Sequence, residues 1–215
     1  MPYRDREAPS RRHNLALATV AGGGVALLAA LVARLGIDEH WAIDHLIRET
    51  LSSHDIPKTR LAFRVAGTAG TVGVYVPATL LAMVLVARRQ GDLERVLPLA
   101  GSIAGAALAS LLLKRAVRRP RPRSLSRPYN EKPSFPSGHA TRATAAALAI
   151  AYVLVRERVV PRSIAFPIAL AIVATAGVSR AYADAHWTTD VVGGWALGGA
   201  TAAASALWYE KLRAN

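Results

Sequence analysis

Six stretches of this chain stay apolar over about the length a helix needs to cross the hydrocarbon core of a bilayer, roughly 20 residues each. They run over about residues 15–36, 65–87, 96–113, 138–155, 164–179 and 191–209. Backbone N–H and C=O groups find no water in hydrocarbon, so such spans must satisfy their own hydrogen bonds as helices. The expected fold is all-α: a polytopic membrane protein built as a six-transmembrane-helix bundle. It is expected to form a single domain over residues 1–215, without a long linker. Pro77 and Pro167 fall inside the second and fifth spans, where neighbouring helices can satisfy the freed backbone. The spacings Gly101–Gly105 and Gly194–Gly198 suit close contact between helices.

Composition narrows the function classes. The chain is 52% hydrophobic yet carries a formal net charge of +13, its cations clustered between the apolar blocks. Aromatic residues make up only 6%, too few for the stacking surface of a nucleic-acid groove, so no nucleic-acid partner is expected. With no cysteine, disulfides, thiol catalysis and Cys-ligated metal are excluded. Arg4, Arg6, Arg11 and Arg12 precede the first block as they would in a signal peptide. The block is long and no small-x-small cleavage site follows it, so a retained first helix is expected.

Six spans return both termini to one side. Residues 1–14 would form a tail there, beside the loops bearing Arg88, Arg89, Arg95 and Arg156, Arg158, Arg162 and near Lys211 and Arg213. Short arginine-bearing segments mark a cytoplasmic face of the cell membrane. The opposite, external face receives the connections 37–64, 114–137 and 180–190. The middle one breaks the charge rule, with Lys114, Arg115, Arg118, Arg119, Arg121, Arg123, Arg127 and Lys132. An anionic substrate would explain that excess.

The polar groups of these connections can form one cluster. Lys114 and Arg121 leave the third span, and Ser137, Gly138 and His139 enter the fourth. Ser179, Arg180, His186 and Asp190 lie in the short link between the fifth and sixth. Lysine and arginine supply fixed charge for a phosphate, arginine with bidentate geometry. Ser137 and Gly138 sit where the free N–H groups and positive dipole end of a helix point outward. His186 and Asp190 are spaced i, i+4, so a helical turn puts them on one face. A carboxylate there can fix the tautomer of the imidazole, and His139 would be a second imidazole able to give or take a proton.

These residues carry a resemblance. The chain resembles the type 2 phosphatidic acid phosphatase (PAP2) family, also called the lipid phosphate phosphatase/vanadium haloperoxidase superfamily. The family's signature is K-x6-R-P, P-S-G-H and S-R-x5-H-x3-D. Here the parts read KRAVRRPRP from Lys114, PSGH from Pro136 to His139, and SRAYADAHWTTD from Ser179 to Asp190, covering residues 114–190. The resemblance implies an integral-membrane, metal-independent lipid phosphatase needing no cofactor. In that reading His186 is the nucleophile that becomes a phosphohistidine, Asp190 orients it, and His139 is the general acid and then the base. Lys114, Arg121, Ser137, Gly138 and Arg180 would hold the phosphoryl oxygens. The substrate would be an amphiphile in the bilayer, such as undecaprenyl diphosphate, phosphatidylglycerophosphate, phosphatidic acid or a lipid A phosphate. A vanadate-dependent haloperoxidase-like enzyme shares the motifs, and a non-catalytic lipid-phosphate binder or transporter is the other alternative.

The remaining polar residues receive plainer expectations. Arg115, Arg118, Arg119, Arg123 and Arg127 are expected to be headgroup-facing or loop charges, Tyr182 and Trp187 interface anchors, and Asp184 a solvated acid. Arg142 either snorkels to the headgroups or points into the site. In 37–64, Ile37, Trp41, Ile43, Leu46, Ile47 and Leu51 suggest an amphipathic helix lying in the interface, its polar residues forming the wet face. His40, Asp44, His45 and Glu49 there also admit a metal reading, while His13 and His54 match no motif.

Overall fold

The computed structural model describes residues 11–36, 41–53, 61–63, 65, 67–91, 93–123 and 131–214. Among them all regular structure is helical. The long helices are α1 (Arg11–Leu35), α3 (Val72–Gln90), α4 (Leu97–Val117), α5 (Gly138–Arg156), α6 (Arg162–Tyr182) and α7 (Thr188–Ala214), with a short α2 (Ala42–Ser53) after the first. The six long helices are apolar and long enough to cross a membrane. Leu80, Leu81, Leu108, Leu112, Ile168 and Leu170 are exposed on their outer faces, as lipid contact requires.

Local chemistry sets the helix ends. Gly91 closes α3 in the left-handed conformation, φ 66°, and its N–H reaches the Ala87 carbonyl. Pro98 lies in the first turn of α4, where its missing N–H costs nothing. The expected second span begins late. Gly67–Gly70 form a separate 3₁₀ turn, and the helix starts only at Val72. That turn fills space between helices. A Cβ on Gly70 would lie 2.9 Å from the His139 Cβ, and one on Gly67 would lie 2.2 Å from the Arg180 guanidinium.

Helices α5 and α7 form the centre and run parallel, joined through the antiparallel α6. Their backbones touch at the second small-residue motif. A Cβ on Gly198 would lie 2.5 Å from the Thr141 carbonyl oxygen, and one on Gly194 would lie 2.8 Å from that of Ser137. The first motif divides: Gly101 accommodates the Trp208 ring, but Gly105 faces open space. One turn above Gly194, the Ser137 N–H donates to the Asp190 carbonyl at 2.9 Å. This close contact fixes the starts of both helices at the same level.

The opposite end of the bundle holds a buried polar cluster. Glu210, 1% exposed, accepts from Tyr152 and from both Nε and Nη2 of Arg156. His13, which matches no motif, is 2.7 Å from the Tyr152 hydroxyl.

Candidate active site

The site is built where the end of α4, residues 131–137, the turn after α6 and the first turn of α7 meet. Asp190 is the third residue of α7 and has no exposure. A buried carboxylate is tolerated only when cations and donors surround it. It accepts from the Trp187 N–H at 2.9 Å, the reach-back contact of a helix-capping acid. It also accepts from Arg119 Nη1 at 2.9 Å and from the Ser134 hydroxyl. Its Oδ2 lies 3.4 Å from His186 Nδ1.

His186 is 5% exposed and held from both sides. The facing carboxylate assigns the ring proton to Nδ1 and leaves the lone pair on Nε2. Nε2 lies 3.3 Å from Arg121 Nη1. Burial pushes the imidazole pKa down to about 4; Asp190 opposes that shift, while Arg121 and Lys114 reinforce it. The ring is therefore neutral at pH 7, as a nitrogen nucleophile must be.

The cations are braced by carbonyls. Arg121 donates to the carbonyl oxygens of Ala185 at 2.6 Å and Lys132 at 3.0 Å. Lys114 Nζ donates to those of Pro133 and Ser134, both at 3.0 Å. Ser137 occupies the N-cap position of α5 without a side-chain capping bond, its hydroxyl buried and without a hydrogen-bond partner. His139 packs on the Gly70 turn, and Arg180 lies beside Gly67 and Ser179. The expected residues Lys114, Arg121, Ser137, Gly138, His139, Arg180, His186 and Asp190 thus gather at one end of the bundle.

Several expectations need correction. Arg119 is no loop charge: it is 1% exposed and bridges Asp190 to Asp44, reaching Asp44 Oδ2 at 2.7 Å and the Thr189 hydroxyl at 2.7 Å. Asp44 is not on a wet face. Helix α2 turns it inward, 1% exposed, to accept from both N–H and hydroxyl of Thr189, while Ile43 and Leu46 face outward. With both its oxygens so engaged, Asp44 is committed to that network rather than to a metal, and His40 lies outside the described residues. Trp187 is buried instead of anchoring an interface; its indole N–H donates to the Pro120 carbonyl and its ring faces Arg119, Arg48 and His45. Asp184 is paired with Arg48 at 2.9 Å. Arg142 folds back along α5 toward Gly138 and over the Tyr75 ring. Arg115, Arg118 and Arg123 are exposed as expected, whereas Arg127 and His54 lie outside the described residues.

Sequence reasoning missed Ser134, Arg119 and Asp44. A signal existed for Arg119. Residues 118–123 are non-helical, and two-residue spacing in extended chain puts Arg119 and Arg121 on the same side. Asp44 and Ser134 had no local signal, because each acts across a long sequence separation.

Fold and site together define a multi-pass, helical membrane protein with a buried His–Asp pair set among cations. Residues 95–214 match the family model described as the PAP2 superfamily, and the chain belongs to that family. It is 35% identical over 96 residues to phosphatidylglycerophosphatase B of Bacillus subtilis, covering 42% of this chain and 46% of that protein. It is 34% identical over 131 residues to decaprenylphosphoryl-5-phosphoribose phosphatase of Mycobacterium tuberculosis, covering 59% of this chain and 66% of that one. The matched stretch thus spans about half to two thirds of these relatives. The crystal structure of a transmembrane PAP2-type phosphatidylglycerolphosphate phosphatase from Bacillus subtilis superposes with a TM-score of 0.81, at 22% identity over 90% of this chain and 98% of that one. That of Aquifex aeolicus LpxE gives 0.59, at 26% identity over 78% and 97%.

Proposed function

We propose that the protein is an integral-membrane lipid phosphatase that cleaves a phosphomonoester or diphosphate of an amphiphile through a phosphohistidine. One observation carries this reading: His186 is buried, with Nδ1 on Asp190 and Nε2 directed to the cationic side of the site. The substrate phosphate binds among Lys114, Arg121, Arg180, the Ser137 hydroxyl and the N–H groups at the start of α5. These groups neutralise its oxygens without a metal ion.

His186 Nε2 attacks the terminal phosphorus, and its bond to the leaving oxygen breaks: the alcohol oxygen of a monoester or the bridging oxygen of a diphosphate. His139, protonated beside the negative charge of the bound phosphate, gives its proton to that leaving oxygen. The neutral His139 then takes a proton from water as the water attacks the phosphohistidine. Phosphate leaves and both imidazoles return to their starting states. Asp190 stabilises the charge that develops on the His186 ring, and Arg119, Ser134 and the Trp187 N–H keep that carboxylate in place.

The names of the relatives support a lipid whose polar end carries the scissile phosphate; undecaprenyl diphosphate, phosphatidylglycerophosphate and phosphatidic acid all present that group. The arginine-bearing ends of α3, α5 and α7 support cytoplasmic termini and an external site. Purified protein in detergent with EDTA should release phosphate from at least one member of such a lipid panel. No release from any of them contradicts the assignment.

A further inference from the structure

Arg142 is a cation that the phosphate-transfer scheme does not use. It lies on α5 three residues after His139 and four after Gly138, so the three share a helix face. Its side chain runs back toward the helix start, as long helical side chains do. A Cβ on Gly138 would meet Nη1 at 3.0 Å, and Cζ stands 5.9 Å from the centroid of the Tyr75 ring. Its Nε is buried without a hydrogen-bond partner, and no acid pairs with it among the described residues. A half-buried guanidinium without a counter-ion at the edge of an anion site is ready to receive one.

Arg180 and Arg142 lead the charges acting on His139, which Arg121 and His186 also reach, and Arg142 acts on Lys114 as well. In phosphoryl transfer the nucleophile and leaving group lie roughly in line on opposite sides of phosphorus. With His186 attacking, the leaving oxygen and whatever it carries lie on the His139 side, beside Arg142.

Resting on the lipid phosphatase reading, we propose that Arg142, seated against Tyr75, is a specificity subsite for a second phosphoryl anion carried by the leaving group. The substrate class is a lipid with two phosphoryl groups: a terminal phosphomonoester joined to an inner phosphodiester, or a diphosphate. Phosphatidic acid carries no second phosphoryl group and leaves the subsite empty.

The test compares phosphate release by the full chain in mixed micelles from three lipids: phosphatidylglycerophosphate, a polyprenyl diphosphate and phosphatidic acid. Arg142→Gln should lower kcat/KM at least tenfold more on one of the two-phosphoryl lipids than on phosphatidic acid, with the difference in KM. The lipid that suffers identifies the source of the second anion. Arg142→Lys, which keeps the charge without the fork, should fall between wild type and Arg142→Gln on that lipid, and supplies the comparison if Arg142→Gln does not run as a monodisperse species. Equal losses on all three lipids, or no loss on any, overturn the subsite while leaving the phosphatase reading intact. Wild-type protein that releases phosphate from none of the three overturns both.

Discussion

Replacing Arg119 with methionine removes the cation between two carboxylates that have almost no contact with solvent. Asp44 is 1% and Asp190 0% exposed, and Arg119 reaches them at 2.7 and 2.9 Å. Breaking one partner out of a buried ion network typically costs about 3–5 kcal/mol, because the remaining charge is left uncompensated. For a chain of this length each kcal/mol moves the unfolding midpoint by about 2–4 °C. Arg119→Met should therefore lower the thermal midpoint in detergent by about 10 °C. Neutralising one stranded acid should return part of the loss. The double variant Arg119→Met/Asp44→Asn should be more stable than Arg119→Met by about 1–2 kcal/mol, the coupling expected of groups in contact. Phosphate release should fall in both variants, since Asp190 loses a donor that holds it against His186. A midpoint for Arg119→Met within about 2 °C of wild type, or a double variant no better than the single one, would refute the claim that Arg119 ties α2 to the His–Asp pair.

Two further outcomes follow from the geometry. His186 has its pKa at about 4 in the fold, against about 6.5 in an unfolded chain. Between those values the unfolded chain takes up a proton that the fold refuses. The contribution of this group therefore weakens the fold as pH falls from about 6.5 to 4, by at most about 3 kcal/mol. The thermal midpoint of His186→Gln should fall less steeply than that of wild type over this range, and parallel slopes would contradict the burial argument. Gly194→Val should disrupt the α5–α7 contact, since even a Cβ would lie 2.8 Å from the Ser137 carbonyl oxygen, while Gly105→Ala meets nothing within 4 Å. The first should cost about 1–3 kcal/mol by overpacking and the second should leave the midpoint in place; similar midpoints for the two would show that the small-residue contact does not hold the bundle.

The spans were legible because hydropathy over a bilayer's width is a one-dimensional signal. The start of the second span was not: Gly67–Gly70 are apolar enough for a helix, but tertiary contact with His139 and Arg180 holds them in a 3₁₀ turn. The candidate site was legible wherever its residues lie in short motifs at helix ends. The buried acid Asp44 was not, because it shares the inward face of α2 with Ile47 and Leu51, where an apolar residue would be the ordinary choice. Helix α2 presents Asp44 to the protein and Ile43 and Leu46 outward, and the distant partners Arg119 and Thr189 make that orientation favourable. Trp187 and Asp184 were misjudged for a related reason. Residue type at a membrane boundary suggests an anchor or a solvated charge, while the packing of α2 over the turn after α6 buries Trp187 and gives Asp184 the partner Arg48.

The proposed mechanism requires His186 to become covalently phosphorylated. Protein given a lipid substrate labelled in the scissile phosphate, then quenched in alkali, tests it directly. The label should be found on the peptide containing His186 and should be absent from His186→Ala, which should also release no phosphate. Steady turnover by His186→Ala, or label on a different residue, would contradict the account.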